Sequence, residues 1–115
     1  LHSFPTRRSS DLGEYVMSGN TASILSKYLK SAVENGNGRG AKPENTTAAG
    51  KTATAQTGKF ENGEELYNTW FSGWFPAENA RYVITVFKER GSGGASDCAP
   101  VFKAIADKIT ALESE

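Results

Sequence analysis

Hydrophobic residues recur at helical spacing in two separate stretches of this chain. In residues 20–35 the apolar positions fall on one stripe of a helix, and polar residues occupy the rest of its surface. A second stripe begins after Ser96 or Asp97 and accepts Pro100 within its first turn. Its members are Val101, Phe102, Ile105, Ile109 and Leu112. The pattern therefore predicts two amphipathic helices, one in each half of the chain.

The ends of the first helix carry their own signals. Ser18 or Asn20 can accept a hydrogen bond from the backbone of the first turn. At the other end, Asn35 and Gly36 favour a stop in which one residue takes the left-handed conformation. The glycine-rich residues 36–50 then predict a long surface loop.

Between the two helices, three stretches have the pattern of strands. Residues 51–57 alternate small and β-branched side chains without a helical period. Asn62 and Gly63 predict a turn that joins this strand to the next one at residues 66–75. Residues 80–88 are almost continuously apolar, which is typical of a central strand covered on both faces.

The order of these elements is helix, strand, strand, strand, helix. Because the links between the strands are short, neighbouring strands are expected to run antiparallel. The helices have to pack on the sheet to bury their apolar stripes. We therefore expect an α/β fold of the α+β kind, with an antiparallel sheet of about three strands and flanking helices.

Composition narrows the function classes only a little. The 115 residues are 37% hydrophobic and 23% charged, with a formal net charge of zero. A neutral chain gives no reason to expect a nucleic-acid partner, and a single cysteine excludes an internal disulfide. No apolar run is long enough to cross a bilayer. Neither a metal nor a cofactor is expected.

The first strand carries the candidate chemistry. Side chains on a strand alternate between its two faces, so Thr52, Thr54 and Gln56 share one face. Lys51 and Ala53 take the opposite face. Two hydroxyls that point the same way, with a lysine beside them and little bulk around, are suited to binding a carboxylate.

Residues 50–56, Gly-Lys-Thr-Ala-Thr-Ala-Gln, resemble the Lys-Thr-Gly box of penicillin-binding proteins, which usually reads GKTGTAQ in their transpeptidase members. The resemblance continues downstream through WFSGWFP at 70–76, YVITV at 82–86 and APVFK at 99–103. In all it covers nearly everything from 15 to 109. The box alone is weakly specific, whereas the ordered series of segments is strong.

This resemblance implies a partial transpeptidase fold of the penicillin-binding and serine β-lactamase type, with residues 13–115 as its C-terminal part. It also implies a D,D-transpeptidase of peptidoglycan synthesis. In that family a serine of a Ser-x-x-Lys box attacks a D-Ala-D-Ala stem peptide, and the amine of a second peptide resolves the acyl-enzyme. No serine of this chain has a lysine three positions later. The nucleophile and its base are therefore expected in a missing N-terminal part, and the chain alone is expected to be inactive.

The resemblance also implies roles for residues of the first strand. Lys51 would place a positive charge beside the nucleophile pocket, and the hydroxyls of Thr52 and Thr54 would bind the carboxylate of substrate or antibiotic. The Thr54 amide would be one donor of the oxyanion hole, and Gln56 would border the peptide groove. Ala53 stands where the family usually has glycine, but its methyl group points away from the hydroxyls. We therefore expect the carboxylate site to survive.

Two other functions fit the same resemblance. One is a catalytically inactive, penicillin-binding-like module that binds cell-wall fragments or other proteins, and the other is a serine β-lactamase or D,D-carboxypeptidase. A Ser-x-x-Lys box upstream would separate an enzyme from a binding module. The implied partners are peptidoglycan stem peptides and β-lactam antibiotics. The implied location is the extracytoplasmic face of the bacterial cytoplasmic membrane, with a membrane anchor expected only in the missing N-terminal part.

Three further patterns have ordinary explanations. The Gly-Lys-Thr sequence at 50–52 matches the end of a phosphate-binding loop, but Asn45 stands where that motif needs glycine, and the following residues favour a strand. Cys98 lies near a helix start, and outside residues 1–12 the chain has no histidine to act as its base, so a packed thiol is expected. Residues 1–12 have no periodicity and resemble the translation of a sequencing-adapter oligonucleotide, so we interpret them as a non-native tail.

Overall fold

The computed structural model describes residues 14–115, so the interpretation of residues 1–12 lies outside the described part. The elements are helix α1 (Gly19–Asn35), a 3-10 turn (Arg39–Ala41), strands β1 (Ala49–Glu61), β2 (Glu64–Phe75) and β3 (Tyr82–Gly91), a short helix α2 (Gly94–Asp97) and helix α3 (Ala99–Glu113). The predicted order of helix, three strands and helix is confirmed. Among the described residues, no helix has the length and apolar character needed to cross a bilayer.

Helix α1 begins as predicted and ends differently. The Ser18 hydroxyl oxygen accepts a hydrogen bond of 3.1 Å from the backbone N–H of Thr21, which makes Ser18 the cap. At the other end Gly36 is extended, with φ −109° and ψ −153°, so the predicted left-handed stop is wrong. Glycine relieves crowding there, because a Cβ on Gly36 would make a tight contact of 3.0 Å with the carbonyl oxygen of Ala32.

The three strands form one sheet in the order β1-β2-β3. Neighbouring strands run antiparallel, as predicted, but β3 lies at an edge of the sheet and not at its centre. Asn62 and Gly63 have positive φ angles of 55° and 81°, which fit the tight turn between β1 and β2. The register of this pair is irregular between Gln56 and Phe60. Strand β1 therefore continues past its predicted end by way of a bulge.

One face of the sheet, here named the helix face, packs against the helices and forms the core. Phe71 and Phe75 of β2 contact Phe102 of α3, with ring centroids 4.8 and 5.9 Å apart. All three rings are buried. Residues of β3 that pack against the same core are Tyr82, Ile84 and Val86.

The other face, here named the open face, carries exposed aromatic and aliphatic side chains. Trp70 and Phe87 contact each other with ring centroids 4.3 Å apart. Phe87 is 44% exposed and Val83 is 73% exposed. The expectation that residues 80–88 form a strand covered on both faces is therefore wrong within residues 14–115, because the β3 side chains that point to the open face are exposed.

Helix α3 packs on the core beginning with the residues of its first turn. Pro100 lies in that first turn, as predicted. Cys98, just before the helix, is fully buried, and its sulfur lies 3.5 Å from the hydroxyl oxygen of Thr69. The packed thiol expected from the sequence is confirmed.

Helix α1 is less completely buried than α3, because Val33 is buried whereas Tyr28 is 70% exposed.

Candidate functional site

The candidate residues lie on β1, which is an edge strand of the sheet within residues 14–115. Regular strand geometry runs through residues 50–52 and onward. A phosphate-binding loop would have to pass into a helix at this point, so that alternative is excluded. Lys51 and Thr54 are exposed, and Thr52 is half-buried.

The register of β1 with β2 fixes which way each side chain points. Thr52 lies opposite Phe71 and Thr54 lies opposite Thr69, so both threonines are on the helix face, as alternation predicted. Lys51 lies opposite Ser72 on the open face. The hydroxyls and the lysine therefore belong to opposite faces and can meet only at the free edge of β1.

The Lys51 side chain turns towards the backbone of its own strand. Its Nζ donates a hydrogen bond of 2.9 Å to the carbonyl oxygen of Thr52. Within residues 14–115, Lys51 makes no ion pair with a carboxylate. The ammonium group therefore lies next to the residue that carries the first of the two hydroxyls.

Side-chain hydrogen bonds distinguish the threonines of this strand. The hydroxyls of Thr52 and Thr54 make no hydrogen bond with any described residue, so both are available to a ligand. Thr57, in contrast, donates to the carbonyl oxygen of Leu66 at 2.6 Å and accepts from the N–H of Lys59 at 3.1 Å. The Thr57 hydroxyl is thus used to hold the bulge in β1.

Gln56 is engaged with the neighbouring strand. Its Nε2 donates to a carboxylate oxygen of Glu65 at 3.3 Å, and the Gly58 N–H donates to the other oxygen of the same carboxylate at 2.9 Å. A role for Gln56 in a peptide groove stays a prediction, because a ligand would have to compete with Glu65 for the amide.

A polar cluster fixes the approach to β1. The Thr47 hydroxyl donates to Glu78 at 2.6 Å and accepts from the N–H of Ala77 at 2.9 Å, and Lys30 of α1 forms an ion pair with Glu78. Hydrogen bonds from Lys30 and then from Thr47 lower the pKa of Glu78 to about 2. This cluster ties α1, the loop before β1 and the β2–β3 turn together.

The turn from β3 to α2 packs against β1, and no motif in its sequence predicts this contact. Asp97 accepts hydrogen bonds from the backbone N–H groups of Ser92 at 2.6 Å and Gly93 at 2.9 Å. The bond from Gly93 and then that from Ser92 hold the pKa of Asp97 below its usual range. Of the two adjacent glycines, Gly94 packs closely against backbone, whereas a Cβ on Gly93 would make an ordinary contact, so the pair alone does not predict the close packing.

The described residues contain no cluster of three or more histidine, cysteine, aspartate or glutamate side chains that would hold a metal ion. The chemistry available at β1 is therefore that of an ammonium group, two unpaired hydroxyls and backbone amides at an open strand edge. Such a set can bind a carboxylate and polarise a carbonyl oxygen. By itself it offers no activated nucleophile.

Comparison with protein families gives one match over most of the chain. The family model described as the penicillin binding protein transpeptidase domain matches residues 3–107. The matched range begins inside the stretch that we interpret as a non-native tail.

Individual relatives agree with the family match. The chain is 35% identical over 85 residues to the peptidoglycan D,D-transpeptidase MrdA of Haemophilus influenzae, an alignment that covers 64% of this chain and 13% of that protein. Its fold is similar to that of the transpeptidase domain of the FtsI4 D,D-transpeptidase from Legionella pneumophila, with a TM-score of 0.67, 33% identity and coverage of 81% of this chain and 37% of the other.

A second solved structure has a similar fold. The transpeptidase domain of penicillin-binding protein 3 from Burkholderia pseudomallei gives a TM-score of 0.74 at 27% identity, covering 92% of this chain and 35% of the other. The chain thus spans about a third of each of these solved domains and a smaller share of the curated relative.

Proposed function

Because this chain belongs to the penicillin-binding protein transpeptidase family, we propose that it forms one wall of the active site of a D,D-transpeptidase that cross-links peptidoglycan. The nucleophilic serine of that enzyme lies outside these 115 residues, since none of their serines is part of a Ser-x-x-Lys box. Family membership supports the reaction type, and the residues of β1 support the part that this chain plays in it.

The reaction is acyl transfer. The serine oxygen attacks the carbonyl carbon between the two D-alanines of a stem peptide, the terminal D-alanine leaves, and the amine of a second stem peptide then takes the acyl group from the serine. The attack places negative charge on the carbonyl oxygen. In this proposal the Thr54 amide donates to that oxygen, which would contribute about 3 kcal/mol to the stabilisation of the transition state.

The same strand would hold the substrate by its terminal carboxylate. Thr52 and Thr54 present hydroxyls that no described residue occupies, and both belong to a strand whose outer edge is open. The Lys51 ammonium lies 2.9 Å from the Thr52 carbonyl oxygen and adds positive charge beside them. Within residues 14–115, two hydroxyls without a hydrogen-bond partner and an ammonium group without a carboxylate partner lie at one strand edge, and this combination is the observation that carries the proposal.

Partners and location follow from the same proposal. Stem peptides ending in D-Ala-D-Ala are the substrates, and β-lactams, which carry a carboxylate beside a reactive amide, are the inhibitors. Both meet the enzyme outside the cytoplasmic membrane, where peptidoglycan is assembled. Gln56 would contact the peptide after releasing Glu65, from which it now lies 3.3 Å away.

A fluorescent penicillin tests the proposal. We expect this chain alone to form no covalent adduct, because it has no Ser-x-x-Lys serine. The longer protein that carries the chain and such a box should give a fluorescent band that excess unlabelled penicillin abolishes. A labelled band from the 115 residues alone would contradict the assignment of the nucleophile to another segment. An unlabelled longer protein that still retains peptidoglycan would favour the inactive binding module.

A further inference from the structure

The first residue of α2 lies directly against the backbone of β1. A Cβ on Gly94 would come within 2.8 Å of the carbonyl oxygen and 2.9 Å of the nitrogen of Ala53, and it would come closer still to the carbonyl oxygen of Trp70. Real Cβ atoms essentially never approach other atoms to less than 3.0 Å. Gly94 is buried, so the absence of its side chain is what allows β1 to occupy its present position.

The turn that carries Gly94 is held firmly in place. One carboxylate oxygen of Asp97 accepts from the N–H groups of Ser92 and Gly93 at 2.6 and 2.9 Å, and from the Thr69 hydroxyl on β2 at 3.2 Å. Because Thr69 lies opposite Thr54 in the sheet, these bonds anchor the turn next to the candidate residue. The turn that packs against β1 is therefore joined to β2 through the buried side chain of Thr69.

One of the atoms that a Cβ on Gly94 would meet, the Ala53 carbonyl oxygen, is linked directly to the proposed oxyanion donor. The Ala53 carbonyl and the Thr54 N–H belong to the same peptide unit, which is planar and nearly rigid. If the Ala53 oxygen moves, the Thr54 N–H tilts with it. Resting on the proposed function of this site, we propose that Gly94 is a positioning residue: it sets the direction of the Thr54 amide without touching the substrate.

The proposal separates two steps of the reaction with a β-lactam. Carboxylate binding uses the side chains of Thr52 and Thr54, whose hydroxyls can adjust to a small backbone shift. Oxyanion stabilisation uses a backbone N–H whose direction is fixed by the peptide plane. A displacement of the Ala53 backbone should therefore slow acylation more than it weakens the initial, non-covalent binding of the antibiotic.

Gly94→Ala tests this in the longer protein that carries the chain, and Gly93→Ala is the matched control. Among the described residues, a Cβ on Gly93 would meet only the Ser96 hydroxyl oxygen, at an ordinary 3.6 Å, and the Gly93 backbone is extended. Stopped-flow acylation by a reporter penicillin gives the dissociation constant of the initial complex and the acylation rate constant separately. Melting temperatures of both variants are measured alongside.

We expect Gly94→Ala to lower the acylation rate constant by about ten- to a hundredfold, because loss or misalignment of one oxyanion donor has costs of this order. The dissociation constant of the initial complex should change by less than about threefold, since the hydroxyl contacts remain. Gly93→Ala should leave both constants at the parent values. Equal rate constants for the two variants would overturn the proposal, and so would an effect confined to the dissociation constant.

A second pair of variants decides the matter if Gly94→Ala does not fold. Asp97→Asn loosens the turn while keeping its shape, and Asp107→Asn is the control, because Asp107 also binds a backbone N–H, that of Glu44, at 2.8 Å. Slower acylation in Asp97→Asn alone, with unchanged initial binding, supports the proposal, and equal acylation in both contradicts it. A parent protein that is not acylated at all would refute the proposed function, whereas an acylated parent with a normal Gly94→Ala variant refutes only the positioning role.

Discussion

Replacing Thr54 by valine removes one hydroxyl and leaves the rest of the proposed site in place. The Thr54 hydroxyl makes no hydrogen bond with the described residues, and its side chain is exposed, so the folded chain should lose little stability. Valine keeps the β-branched shape that suits a strand. The backbone N–H, which is the proposed oxyanion donor, is also kept.

The size of the effect follows from the bond that is lost. A hydrogen bond to a charged carboxylate contributes about 1.5 to 3 kcal/mol, which corresponds to a loss of roughly ten- to a hundredfold in acylation efficiency. The assay is acylation of the longer protein by a reporter penicillin, with the melting temperature measured in parallel. In contrast to Gly94→Ala, the loss should lie mainly in the dissociation constant of the initial complex.

The matched control is Thr85→Val. Thr85 is an exposed strand residue on the open face, and among residues 14–115 its hydroxyl hydrogen-bonds only to that of Ser72, at 2.9 Å. Thr57→Val is unsuitable, because it would remove two hydrogen bonds that hold the bulge. If Thr54→Val kept the parent acylation efficiency and the parent dissociation constant, or if Thr85→Val lost as much efficiency, the assignment of the carboxylate site to the helix-face side of β1 would be wrong.

Two further outcomes are expected. Deletion of residues 1–12 should leave the melting temperature unchanged, and an appreciable drop would instead support the family match that begins at residue 3. The pKa of Glu78 is lowered to about 2 by Lys30 and Thr47, so its contribution to stability is present above the ordinary value of 4.5 and is lost as the pH falls towards 2. Glu78→Gln should make the free energy of unfolding in urea depend less on pH between 4.5 and 2. The change should be small, and salt should reduce it further, because the Lys30–Glu78 ion pair is exposed. An unchanged slope would show that the ion pair does not persist in solution.

Local sequence signals predicted the elements and the faces of β1. The helical stripe of α1, the Asn62-Gly63 turn and the alternation of Lys51 with Thr52 each depend on neighbouring residues only. The structure agrees with these local signals because the short links between the strands allow few ways of pairing them. The positions of the hydroxyls relative to the lysine could therefore be predicted without knowledge of distant contacts.

The sequence-based predictions are wrong where contacts between residues far apart in the sequence determine the local structure. An apolar run such as residues 80–88 does not reveal whether one or both faces of the strand are covered, and here Val83 is 73% exposed. Gly36 suggested a left-handed stop, but its backbone is extended, and its contact with Ala32 favours a residue without a side chain. Gly94 was overlooked for a similar reason, since its importance comes from a strand some forty residues earlier in the sequence.

The open face has a practical consequence for anyone who expresses this chain. Trp70, Val83 and Phe87 are exposed on it, and within residues 14–115 β1 is an edge strand with one side free for pairing. The isoelectric point of about 6.8 also removes charge repulsion near neutral pH. Those three properties together favour colloidal association of the purified polypeptide. We expect its solubility to be lowest close to pH 7 and to improve in buffers one or two pH units away, where the molecules repel one another.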